Sequence, residues 1–215
     1  MMEILYVGSG RSSLLAKDKK LPQTIACANN AWRLFDSFDI WIHSGDFPHE
    51  NYPKNIKFTT EVNHSLYSAS AKSAADILGW YTTHPQHYAG YTIFFLGLYW
   101  LMIELRPSKI GLLGFDHDYN DDKVKRWVNG GMPNIQNQFG GTNKSANKFS
   151  DEFFGDLEPD FFYGHGIPDP MRLGRDYLLS KFEIAKQSAT KLGINIVNYS
   201  SVDAVNSFPK EHFKW

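Results

Sequence analysis

The sequence predicts an α/β protein with a doubly wound, mostly parallel, Rossmann-like sheet. Short apolar runs that end in Gly, Asn or Ser alternate with helical stretches, which is typical of parallel strands joined by crossovers. The runs are 4–7, 24–27, 40–43, 109–113 and 194–197. They are apolar on both faces rather than alternating, as strands covered on both sides must be.

Three longer segments are predicted to be helices. Segment 68–80 is rich in alanine and amphipathic. Segment 91–105 is apolar over 91–103 and should end before Pro107, because proline disfavours helical geometry in the preceding residue. Segment 173–192 has apolar residues at steps of three and four, and Gly193 follows it as a stop signal.

Length and charge limit the classes of protein. The 215 residues, 42 % of them hydrophobic, can bury one core but are few for two, so we expect a single domain over 1–215. A net charge of −1 gives no global positive field for a polyanion. The composition leaves a homo-oligomer open.

The cysteine and apolar content predict a location. Cys27 is the only cysteine, which excludes an internal disulfide and fits a reducing compartment. The first residues lack the features of a secretory signal, and the most apolar stretch, 91–103, is shorter than the roughly 20 residues that a membrane span needs. We therefore expect a cytoplasmic protein with no membrane span.

Segment 120–170 breaks the alternating pattern. It is rich in Asn, Gly, Asp and Phe with little periodicity, and loops of this length are usually functional or disordered. Its aromatic side chains, such as Trp127 and Phe139, argue against disorder. We interpret it as a lid-like or acceptor-side insertion before the last helix.

Ligands of open parallel sheets bind outside the carboxyl ends of the strands, so the residues after each run are the candidates. After the first run, glycines allow close backbone approach and hydroxyls can donate to phosphate. The candidate residues of this turn are Gly8, Ser9, Gly10, Arg11 and Ser12. The third glycine of a dinucleotide fingerprint is absent, which favours a mononucleotide. The alternative is a tight turn with Ser12 or Ser13 as N-cap.

Three further strand ends are polar. Asn29 and Asn30 offer carboxamide donors and acceptors that suit a ribose or a base edge, although asparagine also commonly fills turns and caps. The candidates after the next two runs are Ser44, Gly114, Phe115, Asp116 and Tyr119. Four polar strand ends in succession predict one ligand pocket at the sheet edge.

Asp116 and Asp118 flank His117 and suggest a metal site. Paired carboxylates could hold Mg²⁺ or Mn²⁺ beneath a diphosphate. The alternative, which we favour, is that Asp116 anchors its loop through backbone N–H groups.

His165 is the candidate catalytic base. It lies between Gly164 and Gly166, where the glycines leave room for a substrate, and an unperturbed imidazole titrates near neutrality. The alternative is a loop histidine that hydrogen-bonds to the backbone.

Four places carry a family resemblance. The strand and turn 4–12 look like a strand and Gly-Asn-Gly-Pro-Ser turn, with Ser9 and Arg11 in place of Asn and Pro, and Asn29 falls where the family has a nucleotide-contacting asparagine. Segment 90–116 is similar to the family's helix and following strand, and Gly164-His165 matches its Gly-His motif. The chain thus resembles the bacterial sialyltransferases of the Campylobacter lipooligosaccharide type and their Rossmann-like relatives.

The resemblance implies an inverting, metal-independent glycosyltransferase. His165 would deprotonate an acceptor hydroxyl that attacks the anomeric carbon of a nucleotide sugar. The acceptor could be a glycan, a small metabolite or a modified base. Two alternatives stay open: a phosphotransferase or diphosphotransferase, because the wider group includes a pterin diphosphokinase, and a nucleotide-binding protein without catalysis.

Overall fold

The computed structural model describes residues 2–21, 23–45, 47, 49–89, 92–116, 175–200 and 207–214. Within them the chain forms one six-stranded sheet in which every pairing is parallel. The strands are β1 (Glu3–Val7), β2 (Thr24–Ala28), β3 (Ile40–Ile42), β4 (Thr60–Val62), β5 (Lys109–Leu113) and β6 (Asn195–Asn198). The predicted α/β, Rossmann-like fold is confirmed, whereas the proposed insertion 120–170 lies outside the described residues.

The strand order is β4-β3-β2-β1-β5-β6. The chain lays down β1 to β4 in one direction and then returns to place β5 on the other side of β1. Val7, at the end of β1, pairs with Cys27 on one side and Leu113 on the other. The switch point of the topology, where open parallel sheets bind their ligands, is therefore between the carboxyl ends of β1 and β5.

Strand β4 was not predicted. It has only three residues, Thr60-Glu61-Val62, and just the last of them is buried. It lies at the edge of the sheet, where a strand has one hydrogen-bonded neighbour and needs no continuous apolar run. The pattern that identified the other strands is therefore absent here.

Within the described residues, three α-helices follow predicted segments with shifted ends: α1 (His64–Leu78), α3 (Ile93–Trp100), which continues as a π-helical turn (Leu101–Leu105), and α4 (Arg175–Leu192). The short helix α2 (Pro85–Tyr88) was not predicted. Helix α1 begins four residues earlier than predicted because the Asn63 side chain accepts a hydrogen bond from the Ser65 N–H at 3.2 Å. In the described part of the chain, no helix has the length and apolar character needed to cross a membrane.

The core lies on both faces of the sheet. On β1, Ile4 and Tyr6 point to one cluster while Leu5 and Val7 point to the other. The first cluster includes the buried faces of α1, α3 and α4. The second includes residues of two 3-10 helices, Arg11–Ala16 and Asn29–Leu34.

Cys27 belongs to the second cluster and is fully buried. Burial raises the pKa of its thiol well above the ordinary value, which disfavours the thiolate. Cys27 is therefore a small core residue and has no features of a nucleophile.

Gly97 allows α3 to pack closely on the sheet. A Cβ at this position would overlap the hydroxyl of Tyr6 and would lie 3.0 Å from Cγ2 of Ile42. The Tyr6 hydroxyl is fixed by donating to the Ile93 carbonyl at 3.1 Å.

We predict that Gly97→Ala lowers the free energy of unfolding by about 1–3 kcal/mol, measured by denaturant titration.

The double variant with Tyr6→Phe is the control for this packing. It removes the overlapping oxygen, so Gly97→Ala should cost less in the Tyr6→Phe background than in the parent chain. Strictly additive losses would show that the contact between Gly97 and Tyr6 is not the cause.

Candidate functional site

The carboxyl ends of β1 and β5 pack directly on each other. The Gly8 N–H donates to the Leu113 carbonyl at 2.8 Å, and the Gly10 N–H donates to the Gly114 carbonyl at 2.7 Å. A Cβ on Gly8 or Gly10 would lie 2.5 or 2.7 Å from the Gly114 oxygen. Gly114 itself has a φ of 74°, which favours glycine. These three glycines are thus required by contact between the two strand ends.

Asp116 joins the ends of three strands. Its Oδ2 accepts from the Ser12 N–H at 2.8 Å, and its Oδ1 accepts from the hydroxyls of Ser12 and Ser200, the latter at 2.6 Å. The Ser12 hydroxyl oxygen in turn accepts from the Gly114 N–H at 2.8 Å. The carboxylate is buried. Asp116 is therefore the loop anchor that the sequence analysis favoured over a metal ligand.

These contacts use donors that a phosphate would need. The N–H groups of Gly8, Gly10 and Ser12 are engaged as described, and the Ser13 N–H donates to the Gly10 carbonyl at 3.0 Å. The Ser13 hydroxyl also donates to that carbonyl, at 2.7 Å. Gly10 is the N-cap of the 3-10 helix Arg11–Ala16 and makes no side-chain capping hydrogen bond, so the alternative with Ser12 or Ser13 as N-cap is wrong.

Two other residues of the first turn are less informative. Ser9 is buried beside the glycines of the turn. Arg11 begins the 3-10 helix, and its side chain lies outside the described part of the structure.

Asn29 connects the ends of β2 and β3. Its φ of 46° places it in the left-handed region, which asparagine tolerates. Its Oδ1 accepts a long hydrogen bond of 3.4 Å from the Ser44 N–H, and its carbonyl accepts from the Trp41 indole N–H at 2.9 Å. The turn role that was the alternative for Asn29 is thus observed, and Ser44 lies beside it.

Asn30 follows Asn29 at the same edge of the sheet. Its side chain is completely buried, and neither Oδ1 nor Nδ2 has a hydrogen-bond partner among the described residues. More than about 90 % of buried polar groups in proteins are paired, and each unpaired group costs about 1–3 kcal/mol. Asn30 therefore lacks, at this edge of the sheet, the hydrogen bonds that a buried carboxamide normally makes.

Asn30 lies in the segment that adjoins the switch point. It follows β2 by two residues, and β2 pairs in register with β1 up to Val7. The 3-10 helices Arg11–Ala16 and Asn29–Leu34 contact each other. Asn30 therefore belongs to the segment next to the first turn.

Phe115 contributes a half-buried ring at the switch point. Its centroid lies 4.5 Å from that of Tyr6 and 4.7 Å from that of Phe94. The ring also passes close to Gly8, where a Cβ would be 2.7 Å from its edge. Phe115 thus covers the first turn from the side of the first core cluster.

His43 follows β3 and holds the neighbouring strand ends together. Its Nε2 lies 3.1 Å from Oε1 of Glu61 on β4, and its Nδ1 lies 3.0 Å from the Ser44 carbonyl. Its ring stacks on Trp41 with centroids 4.1 Å apart. Because both ring nitrogens are engaged and the side chain is buried, His43 has a structural role.

Ser200 and Glu61 were missed by the sequence analysis. Ser200 lies two residues after β6, which corresponds to the last predicted run, 194–197. Inspecting the residues after that run, as was done for the four earlier runs, would have identified Ser200. Glu61 lies on β4, which has no apolar run and therefore gave no strand end to inspect.

Several predicted residues lie outside the described part of the chain. They are Asp118, Tyr119 and His165. Among the residues that are described, no group of three or more His, Cys, Asp or Glu side chains could hold a metal ion. A cation at Asp116 would have to replace hydrogen bonds that this carboxylate already accepts.

Comparison with known proteins gives no family for the chain. No protein-family model matches it, and neither the curated proteins nor the solved structures give a match.

We predict that Asp116→Ala lowers the free energy of unfolding by about 2–4 kcal/mol, because it leaves a buried N–H and two hydroxyls without their acceptor. Asp116→Asn, which keeps one acceptor oxygen, should lose less. Denaturant titration measures both. The control is Asp76→Ala, which removes an exposed carboxylate on α1 and should change stability by no more than about 0.5 kcal/mol. Equal stability of the two alanine variants would contradict the anchoring role.

Proposed function

We propose that the chain is a glycosyltransferase that uses a nucleotide-activated sugar and binds it at the carboxyl edge of the sheet, next to the switch point. The observation that supports the binding half of this proposal is the buried carboxamide of Asn30, which has no hydrogen-bond partner among the described residues. The reaction class comes from the resemblance to the bacterial sialyltransferases, above all at Gly164-His165.

The chemistry of Asn30 suits the neutral part of a nucleotide. A carboxamide presents an acceptor oxygen and two N–H donors side by side, which complement a base edge or ribose hydroxyls. A ligand that pairs with both atoms removes a penalty that the free protein carries. We therefore assign the base or the ribose to the neighbourhood of Asn30.

The phosphate of the donor needs other contacts. The N–H groups of Gly8, Gly10 and Ser12 are used within the protein, so the first turn does not offer them as a cradle. Arg11 follows Gly10 directly in the sequence, and a guanidinium can hold a phosphate with two parallel hydrogen bonds. We assign the phosphate contact to Arg11.

In the proposed reaction, His165 takes the proton of an acceptor hydroxyl. The acceptor oxygen bonds to the anomeric carbon while the bond from that carbon to the phosphate oxygen breaks, which inverts the configuration. The engagement of Asp116 by Ser12 and Ser200 supports a reaction that needs no divalent cation at this position. The acceptor that supplies this hydroxyl is a glycan, a small metabolite or a modified base.

We predict that Asn30→Leu separates stability from binding. Leucine has nearly the shape of asparagine without its polar atoms, so the free protein should be as stable as the parent or more so. A nucleotide at about 100 times its Kd should add about 2.7 kcal/mol to the parent, and this gain should vanish in the variant. Thermal-shift measurements with CMP, UDP, GDP, dTDP and their sugar conjugates test this.

Asn198 provides a matched control. It is also buried at the carboxyl end of a strand, but its Oδ1 accepts from the Ser200 N–H at 2.9 Å. Asn198→Leu should therefore lose about 1–3 kcal/mol. A nucleotide shift that survives Asn30→Leu would refute the assignment, and no shift of the parent with any nucleotide would refute nucleotide binding itself.

We predict that His165→Ala reduces sugar transfer by about 10²–10⁴-fold while the nucleotide-induced thermal shift is retained. Donor consumption followed by NMR, with and without EDTA, measures the first effect. Unchanged transfer would remove His165 from the mechanism. Loss of parent activity in EDTA would instead favour the diphosphotransferase, and nucleotide binding without any transfer would favour a binding protein.

A further inference from the structure

Two surface segments concentrate positive charge in a chain of net charge −1. They are 17–20, after the first 3-10 helix, and 210–214, near the end of the chain. Their exposed lysines are Lys17, Lys19, Lys20, Lys210 and Lys214. Their carboxylates are Asp18 and Glu211, and Glu211 pairs with Lys109 at 2.8 Å.

The two segments meet on the folded protein. The Asn198 N–H donates to the Pro209 carbonyl at 2.8 Å and the Glu211 N–H donates to the Asn198 carbonyl at 3.1 Å, which fixes the later segment beside β6. The Phe213 ring packs edge-on against Tyr199. Lys19 of the other segment places its Nζ 5.4 Å from the Phe213 ring centroid. The contact of Lys19 with Phe213 thus brings the two basic segments side by side.

Two exposed leucines adjoin these lysines. Leu14 and Leu15 are 40 % and 44 % exposed although they lie in a 3-10 helix that packs on the sheet. The chain turns directly after them, with the Lys17 N–H donating to the Leu14 carbonyl at 3.2 Å. Adjacent apolar side chains next to a cluster of lysines are typical of surfaces that lie on an anionic bilayer.

We propose that the basic face, formed by Leu14, Leu15 and the lysines of 17–20 and 210–214, docks on a membrane surface that carries anionic lipids. The leucines enter the boundary between headgroups and acyl chains, and the lysines lie over the negative headgroups, with their aliphatic stems along apolar surface. This docking is peripheral and does not depend on the proposed glycosyl transfer.

The leucines favour a bilayer over a nucleic acid. Nucleic-acid surfaces combine cations with aromatic stacking or groups that reach base edges, and exposed leucines contribute to neither. A bilayer uses both parts of the basic face, because apolar insertion and electrostatic attraction add to each other.

Vesicle flotation with the full chain tests the proposal. The protein should float with phosphatidylcholine vesicles that contain about 30 % phosphatidylglycerol, should not float with phosphatidylcholine alone, and should be released by about 0.5 M salt. Each lysine is expected to contribute about fivefold to partitioning, so Lys19→Glu with Lys20→Glu should weaken it by more than about tenfold. Leu14→Ser with Leu15→Ser should also weaken it.

Lys186→Glu with Lys191→Glu is the matched control, because it makes the same change of charge at exposed positions on α4. Circular dichroism checks that each variant is folded. If Lys19→Glu with Lys20→Glu is not folded, Lys210→Glu with Lys214→Glu takes its place. Equal binding to neutral and anionic vesicles would overturn the proposal. Equal weakening by the control pair and by Lys19→Glu with Lys20→Glu would also overturn it. Binding of a single-stranded RNA that depends on the lysines, together with flotation that is indifferent to the leucines, would also overturn it and assign the basic face to nucleic acid.

Discussion

The buried carboxylate of Asp116 sets the geometry of the carboxyl edge. By accepting hydrogen bonds from Ser12 and Ser200, it joins the segments that follow β1, β5 and β6. This joining requires the first turn to lie against Gly114, which only glycines at positions 8 and 10 permit. The N–H groups of the first turn are thereby engaged within the protein, and the buried carboxamide of Asn30, which has no partner among the described residues, lies on the adjoining segment.

The first turn explains why the sequence was ambiguous about this site. A Gly-Ser-Gly turn fits both a backbone that approaches a phosphate and a backbone that approaches another strand end, because both need a residue without Cβ. The structure selects the second contact for Gly8 and Gly10. The sequence could not distinguish them, since the partner, Gly114, lies about a hundred residues further along the chain.

Most of the sheet was predictable because buried parallel strands are continuous apolar runs, and α1, α3 and α4 were predictable from spacing and stop signals. Strand β4 has no such pattern, since a short edge strand needs none. The polar contacts of the site lie at strand ends, where the sequence analysis looked for them, but the hydrogen bonds of Asn29 depend on Ser44 and Trp41, which no local pattern reveals. A buried carboxamide without hydrogen-bond partners, such as that of Asn30, lowers the free energy of unfolding.

The hydrogen-bonding state of the Asn30 side chain distinguishes a nucleotide that contacts this carboxamide from one that binds elsewhere. In a ¹H–¹⁵N spectrum of the labelled protein, saturation with the bound nucleotide should move the Asn30 NH₂ resonances downfield and slow their exchange with water, as expected when an unpaired amide gains an acceptor. Nucleotide binding that shifts other resonances but leaves those of Asn30 unchanged would contradict the account.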